Sequence, residues 1–169
     1  MAMKSDAEQI WDVLVNYCYL IDTRRPSEIP EAIFTEDAMD DHGHGIVRGR
    51  EALRTMFEAS MEVLDATVHA LSNHALVIEG DTARSRCYCT AWHWSRATAD
   101  QGPCRPADFV STGAYSDELR RVDGRWLISH RKCHLMGPQG LTIGAVTPEL
   151  VQMMEKLSQN GFPPDILNP

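Results

Sequence analysis

The chain has 169 residues, of which 43% are hydrophobic and 24% charged, with a formal net charge of −8 at pH 7. This size and composition predict a single globular domain, and no apolar run approaches the roughly 20 residues needed to cross a bilayer. The acidic charge argues against nucleic acid as a partner, and an N-terminal region unlike a signal peptide predicts a cytoplasmic location.

The first predicted element is an amphipathic helix. Ser5 and Glu8 have the spacing of a capping box, and apolar residues follow at intervals of three and four. We expect this helix to run from about residue 6 to residue 20 and to end before Pro26, because proline cannot continue a helix. Asp22 would then lie just beyond the helix end.

A second amphipathic helix is predicted after an irregular stretch. Residues 37–41 are rich in aspartate, and the glycine-flanked segment 41–45 has the composition of a loop. Gly49 precedes a run with apolar residues at helical spacing, which includes Phe57 and ends near Asp65. We expect the apolar face of this helix to pack on the core.

Residues 66–135 change to a β-type pattern. Two pairs of long segments meet at tight turns, one around Gly80 and one around Gly124, and they predict two antiparallel hairpins. Residues 97–106, broken by two prolines, predict a loop that overhangs the mouth of a pocket.

A last helix is predicted from Thr147 to about Gln159, with threonine as its cap. It carries an apolar stripe that could cap the pocket, pack on a neighbouring subunit or belong to the core: Leu150, Met153, Met154 and Leu157. Helices followed by long strands predict an α+β fold, with N-terminal helices packed on a curved antiparallel sheet around a pocket. We treat residues 1–169 as one domain, with residues 139–169 as a C-terminal extension.

Asp22 and His69 are the candidate catalytic pair. Alternation in the first long strand places His69 on the same face as Thr67, and histidine is a competent base near neutral pH. A carboxylate that accepts from one ring nitrogen would fix the tautomer and leave the other nitrogen free for a substrate proton. The alternative is a structural histidine, with Asp22 paired on the surface to Arg24 or Arg25.

Arg131 is a candidate for stabilising negative charge in the pocket. Strict alternation places it on one face of the last long strand, together with Leu127, Ser129 and Cys133. A buried arginine needs a carboxylate or a developing anion opposite it, so a leaving group or an enolate would suit it. The alternative is an arginine on the outer face. Cys133, on the predicted inner face, is a candidate substrate-binding residue.

Aromatic residues are further candidates for the pocket wall. Tyr17 could donate a hydroxyl hydrogen bond to a substrate oxygen, although a core tyrosine is the ordinary alternative. Phe57 on the second helix, and Trp92 and Trp94 in the second long strand, are predicted to bind an apolar substrate.

The sequence offers only weak signals for metal or disulfide chemistry. His42 and His44 form an H-x-H pair that could ligate a metal ion, but no further ligand is defined and we assign no metal site. The five cysteines include no CxxC pair and are predicted to be reduced thiols.

Four short segments occur in an order and spacing that resemble the nuclear transport factor 2-like superfamily, whose fold is a cystatin-like, cone-shaped α+β barrel. They are residues 17–22, 49–53, 67–69 and 120–126. The resemblance covers about residues 6–138. Within the superfamily it points to the SnoaL-like branch, which includes scytalone dehydratase, bile-acid 7α-dehydratase and γ-hexachlorocyclohexane dehydrochlorinase.

The resemblance implies roles for four residues. Asp22 and His69 match the catalytic dyad of these enzymes, Arg131 matches an arginine that assists the leaving group, and Tyr17 matches a tyrosine of the bile-acid dehydratase. That dehydratase also has an acidic residue in the middle strand, where this chain has Ala91. The acid partner, and with it the leaving group, is therefore left open.

The function implied by the resemblance is a lyase that requires no cofactor. It would eliminate water or halide from a small hydrophobic cyclic or aromatic substrate, or cleave a carbon–carbon bond in an aromatic one. The alternatives are an isomerase or polyketide cyclase of the ketosteroid-isomerase type, and a non-catalytic binding or assembly domain. The resemblance also implies a homo-oligomer, either a trimer or a dimer.

Overall fold

The computed structural model describes residues 4–43, 45–137, 139–141 and 148–168. The helices in this part of the chain are α1 (Asp6–Asp22), α2 (Ile29–Ile33), α3 (Arg50–Val63) and α4 (Pro148–Ser158), with 3-10 turns at Pro26–Glu28 and Arg96–Gln101. The strands are β1 (Phe34–Asp41), β2 (Ile46–Arg48), β3 (Leu64–Glu79), β4 (Thr82–Ser95), β5 (Phe109–Val122), β6 (Arg125–Leu135) and β7 (Gly140–Leu141).

Helix α1 begins at the predicted capping box and ends later than expected. The Ser5 hydroxyl accepts from the Glu8 backbone N–H, and the Glu8 carboxylate accepts from the Ser5 backbone N–H. The helix continues to Asp22, where the Thr23 backbone N–H still donates to the Tyr19 carbonyl. Asp22 is therefore the last residue of the helix, and the prediction that it lies beyond the helix end is wrong.

The long strands form an open, mixed sheet with the order β2-β1-β6-β5-β4-β3, and β7 pairs with β5. The two predicted hairpins, β3–β4 and β5–β6, are present and antiparallel. Strand β1, however, runs parallel to β6, so the sheet is not antiparallel throughout. Residues 37–41 were expected to lead into an irregular stretch. They form part of β1, because β6 supplies a hydrogen-bonding edge although aspartate disfavours strands.

Strand β6 contains a bulge that changes which side chains face inward. Ile128 pairs with Leu119 while His130 pairs with Glu118, so Ser129 is an extra residue in β6. Trp126 and Ile128 pack in the core before the bulge, and Arg131 and Cys133 are buried after it. The prediction that Leu127 and Ser129 share a face with Arg131 and Cys133 is therefore wrong, because it assumed unbroken alternation.

The hydrophobic core lies between the helices and the concave face of the sheet. It includes Ile10 and Leu14 of α1, Ile33 of α2 and Leu53 of α3, each fully buried. This arrangement confirms the predicted cone-shaped α+β fold. Within the described residues, no helix combines the length and apolar character needed to cross a bilayer.

Candidate active site

The cone encloses a cavity of about 730 Å³, a volume suited to a small organic ligand. Its wall is mostly apolar and is formed by α1, α3, the inner faces of β3 to β6, and α4. The polar groups that reach it are concentrated in tyrosine, histidine, serine and threonine side chains. Phe57 and Cys133 are part of this wall, in the positions expected of substrate-binding residues.

Asp22 and His69 are in direct contact at the edge of the cavity. Nδ1 of His69 lies 2.7 Å from Oδ1 of Asp22. The Thr67 hydroxyl donates to the same carboxylate oxygen at 2.8 Å, and the backbone N–H of His69 donates to Oδ2 at 2.9 Å. Thr67 and His69 line the cavity while Asp22 lies behind them, so the carboxylate orients the ring from outside the cavity.

The surroundings of Asp22 favour its ionised form. Burial acts to raise the pKa of Asp22, but the hydrogen bonds and charge interaction with His69 outweigh it, and the pKa is lowered overall. An ionised carboxylate only accepts hydrogen bonds, which places the ring proton of His69 on Nδ1. The surface alternative does not occur, because Arg24 donates to backbone carbonyls near the end of α3 and Arg25 pairs with Glu28.

Tyr17 reaches the cavity from the middle of α1. Its hydroxyl lies 3.3 Å from Nε2 of His42, and its ring centroid is 6.4 Å from that of His69. Burial raises the pKa of Tyr17 well above its usual value, so the hydroxyl stays protonated. Five residues separate Tyr17 from Asp22 on the continuous helix α1, so their side chains point in different directions. Tyr17 lines the cavity, whereas Asp22 contacts the cavity residues Thr67 and His69 from outside it.

Arg131 does not line the cavity, which corrects the expectation that it contacts a leaving group. It is fully buried and makes two hydrogen bonds of 2.8 Å to Asp117, the residue opposite it in the β5–β6 ladder. Its guanidinium carbon lies 4.4 Å from the centre of the Tyr17 ring and 4.3 Å from that of Tyr115. A buried cation requires a carboxylate, and register across the sheet provides one, so Arg131 supports the two tyrosine rings from behind.

Trp92 and Trp94 are also outside the cavity wall. Alternation in β4 turns Ala91 and His93 inward, and the two tryptophans therefore lie on the opposite face of the sheet. Trp94 donates its indole N–H to the backbone carbonyl of Arg105. Their assignment as substrate-binding residues is therefore wrong, because the neighbouring residues in the strand, Ala91 and His93, are the ones that line the cavity. The loop 97–106, expected to overhang the pocket, likewise contributes no side chain to the described wall.

The comparison with protein families identifies the chain. The family model described as the SnoaL-like domain matches residues 3–132. The chain belongs to the SnoaL-like domain family. The resemblance to the SnoaL-like branch of the nuclear transport factor 2-like superfamily is thereby confirmed. Helix α4 follows the matched region of this SnoaL-like domain.

Solved structures share the fold of this SnoaL-like domain. The Kfla4162 protein of Kribbella flavida is 22% identical with a TM-score of 0.70, covering 79% of this chain and 92% of that one. A candidate scytalone dehydratase of Novosphingobium aromaticivorans is 23% identical with a TM-score of 0.67, covering 84% of this chain and 95% of that one. A type 2 hexachlorocyclohexane dehydrochlorinase, LinA, is 17% identical with a TM-score of 0.68, covering 84% of this chain and 93% of that one. No curated protein matches significantly.

His42 is a cavity residue of the SnoaL-like domain that the sequence analysis did not assign to the site. Its Nδ1 contacts Oδ1 of Asp40, a carboxylate with no exposed surface. The paired His44 lies outside the described residues, and the described residues contain no cluster of three or more potential metal ligands. Recognising β1 as a strand would have indicated that Asp40 faces the interior, and His42 follows directly after the end of that strand.

His93 is a further histidine of the cavity wall. Its ring stacks on Phe109 with centroids 3.9 Å apart and lies 5.8 Å from the His69 ring. Burial, assisted by the nearby His69, lowers the pKa of His93 to about 3. A neutral imidazole therefore lies beside the Asp22–His69 pair at ordinary pH.

Helix α4 closes one side of the cavity of the SnoaL-like domain. Met153, Met154 and Leu157 of the predicted apolar stripe line the cavity, while the side chain of Leu150 and the predicted cap Thr147 lie outside the described residues. After the helix, the Asn160 side chain donates to the backbone carbonyl of Cys133 at 2.8 Å. The end of α4 is thus tied to β6.

Proposed function

We propose that this SnoaL-like domain is a lyase in which Asp22 and His69 act together as a general base. The 2.7 Å contact between His69 Nδ1 and Asp22 Oδ1, beside a largely apolar cavity, is the observation that carries the proposal. The carboxylate holds the proton on Nδ1, and Nε2 is left as the basic nitrogen. Thr67 holds the carboxylate in place.

In the proposed reaction, His69 Nε2 removes a proton from a carbon atom of the substrate. The electron pair of the broken C–H bond forms a double bond as the leaving group departs from the adjacent carbon. The Tyr17 hydroxyl, which stays protonated, donates a hydrogen bond to a substrate oxygen. These side chains supply the base and the donor, so the proposed reaction requires no cofactor.

The proposed substrate is a small hydrophobic cyclic or aromatic compound. A cavity of about 730 Å³ lined by Phe57, Tyr115, Phe109 and methionines favours a flat apolar ring over a charged or extended molecule. The names of two structural neighbours, a candidate scytalone dehydratase and a hexachlorocyclohexane dehydrochlorinase, describe eliminations, the second from a cyclohexane ring, and support this class.

The proposal is tested with 5-nitrobenzisoxazole, an aromatic compound that opens to a coloured phenolate when a base removes its carbon-bound proton. His69→Gln is expected to lower kcat/KM by a factor of about 10² to 10⁴, the usual contribution of a general base. Asp22→Asn is expected to lower it as well, because the amide no longer fixes the tautomer. His74→Gln is the matched control, since His74 lies outside the cavity and bonds to Ser85. Equal activity in all four proteins would contradict the proposal.

Product analysis separates the proposed elimination from the alternatives. An isomerase or cyclase would move a proton and conserve the mass of the substrate, whereas elimination releases a second product. A binding domain would take up ligand with no turnover. We therefore expect mass spectrometry of a converted β-hydroxy ketone to show the loss of one water.

A further inference from the structure

The cavity contains a second histidine held by a carboxylate. Nδ1 of His42 contacts Oδ1 of Asp40, just as Nδ1 of His69 contacts Oδ1 of Asp22. Both rings line the cavity, while neither carboxylate does. The second pair is more deeply buried on its carboxylate side, because Asp40 is 0% exposed and Asp22 is 22% exposed.

The two pairs meet at Tyr17. The tyrosine hydroxyl is 3.3 Å from the free nitrogen of His42, Nε2. The centroid of the Tyr17 ring is 6.3 Å from that of His42 and 6.4 Å from that of His69. The Arg131 guanidinium carbon lies 4.4 Å from the centre of the Tyr17 ring. A hydrogen-bonded chain therefore runs from Asp40 through His42 to the Tyr17 hydroxyl at the cavity.

Two basic side chains, His42 by contact and Arg131 across the β1–β6 ladder, lie beside the buried carboxylate of Asp40. Its Oδ2 atom is buried without a hydrogen-bond partner among the described residues, and an unpaired buried carboxylate is costly. Arg131 gives its Nε and Nη2 hydrogens to the two oxygens of Asp117, and its buried Nη1 has no hydrogen-bond partner among the described residues. His42 contacts Asp40 and is itself 23% exposed. The two histidines differ in what Nε2 meets: that of His42 contacts the Tyr17 hydroxyl, whereas that of His69 has no hydrogen-bond partner among the described residues.

We propose that His42, positioned by Asp40, is the general acid of the reaction and delivers its proton to an oxygen leaving group through the Tyr17 hydroxyl. The inference rests on the proposed function of His69 as the base. His69 Nε2 takes the carbon-bound proton, the C–H electron pair forms the double bond, and the C–O bond breaks toward oxygen. The Tyr17 hydroxyl gives its proton to that oxygen and regains one from His42 Nε2. His69 ends with one extra proton and His42 lacks one, and water restores both.

This assignment specifies the leaving group. Hydroxide is a poor leaving group and must be protonated as it departs, whereas halide or a nitrophenolate leaves without a proton. A carboxyl acid in the middle strand is not needed, because the proposed acid His42 follows β1 and lines the same cavity as Ala91. The substrate class is therefore a cyclic or aromatic β-hydroxy ketone, and the reaction is a dehydration.

The test compares two substrates that give the same product. Purified protein is supplied with 4-hydroxy-4-phenylbutan-2-one or with its 4-nitrophenyl ether, and formation of the shared enone is followed by its ultraviolet absorbance. His42→Gln is expected to slow elimination from the alcohol by about 100-fold or more, and elimination from the ether by no more than about threefold. Asp40→Asn should show the same selectivity for the alcohol, and Tyr17→Phe should slow elimination from the alcohol at least as much as His42→Gln does. His69→Gln should slow both substrates, and His74→Gln neither.

The outcomes distinguish this inference from the proposed function. If His42→Gln slows the alcohol and the ether equally, or slows neither, His42 is not the acid. If the wild-type protein eliminates the ether but not the alcohol, the assignment also fails, while His69 as the base survives. If neither these substrates nor 5-nitrobenzisoxazole depends on His69, the proposed function itself fails. Circular dichroism spectra check that each variant is folded. If His42→Gln does not fold, the comparison of alcohol and ether with Asp40→Asn decides whether the Asp40–His42 pair supplies the acid.

Discussion

Arg131 and Asp117 form an ion pair in which both side chains are inaccessible to solvent. They face each other in the β5–β6 ladder, and the Arg131 guanidinium lies against the rings of Tyr17 and Tyr115. Removal of one partner leaves a buried charge with no counterion, and this destabilises a protein more than replacement of both partners by apolar residues. At the scale of single residues, this pair supports the site without touching the cavity.

Arg131→Met is therefore expected to lower the free energy of unfolding by about 3–5 kcal/mol, because Asp117 loses its partner. The double variant Arg131→Met with Asp117→Leu should recover part of this loss, since no charge then remains buried. Urea unfolding followed by circular dichroism measures both. Lys4→Met is the control, because Lys4 and Asp12 form an exposed pair that should contribute at most about 1 kcal/mol. If Arg131→Met lowered the free energy of unfolding no more than Lys4→Met does, the ion pair with Asp117 would not contribute to stability.

At the scale of elements, the segment that follows β1 packs closely against α4, which forms part of the cavity wall. Gly43 follows β1 with a φ of +85°, and a Cβ atom added there would lie 2.5 Å from Cγ of Leu157. Gly45 has a similar φ of +90°, but a Cβ atom added to it would have no neighbour within 4 Å among the described residues. The two glycines share the same backbone requirement, and only Gly43 is also required by packing.

Gly43→Ala is expected to destabilise α4 more than Gly45→Ala does. Both substitutions force alanine into a left-handed conformation, at about 1 kcal/mol each. Gly43→Ala adds a clash with α4 that costs about 1–3 kcal/mol more or displaces the helix. Urea unfolding gives the total loss, and hydrogen exchange of the α4 amides reports whether the helix has moved. Equal effects of the two substitutions would show that the contact with Leu157 is unimportant.

Strand formation at this scale also explains the missed histidine. Residues 37–41 have poor strand propensity, and they pair because β6 lies beside them. Once the segment is a strand, Asp40 is directed toward the interior and His42 reaches the cavity. The same reasoning applies to the bulge at Ser129, which changes the inward-facing set in β6 and cannot be read from alternation alone.

At the scale of the whole molecule, burial of neutral histidines makes stability depend on pH. Burial lowers the pKa of His93 to about 3, and it also lowers the pKa values of His74 and His134. As pH falls below the usual histidine value, the unfolded chain takes up protons that the folded chain does not. Stability from these groups is therefore fully present above about pH 6.5 and is lost as pH falls toward their folded values. The lowered pKa of Asp22 acts in the same direction at lower pH.

His93→Phe is expected to flatten this dependence, because phenylalanine can still stack on Phe109 and does not titrate. Between about pH 6 and pH 4, the slope of unfolding free energy against pH should fall by up to about 1.4 kcal/mol per pH unit relative to the wild type. Urea unfolding at a series of pH values provides the measurement. Parallel curves for the two proteins would mean that His93 does not remain neutral in the folded state.

The sequence alone was sufficient for α1, α3 and both long hairpins, because capping residues, helical spacing and tight turns act over a few neighbouring residues. It also pointed to the family, and through the family to Asp22 and His69, which the structure holds 2.7 Å apart. The positions of these residues in the sequence would not by themselves have favoured the pairing of Asp22 with His69 over its pairing with Arg24 or Arg25 on the surface.

Only the tertiary structure decided which strand β1 joins, where β6 is bulged, which carboxylate Arg131 meets and which side chains of β4 face the cavity. Each of these depends on the register between segments that are distant in the chain, and a shift of one residue exchanges the inner and outer faces of a strand. For this reason the tryptophans of β4 and the role of Arg131 were wrongly predicted, and His42 was overlooked.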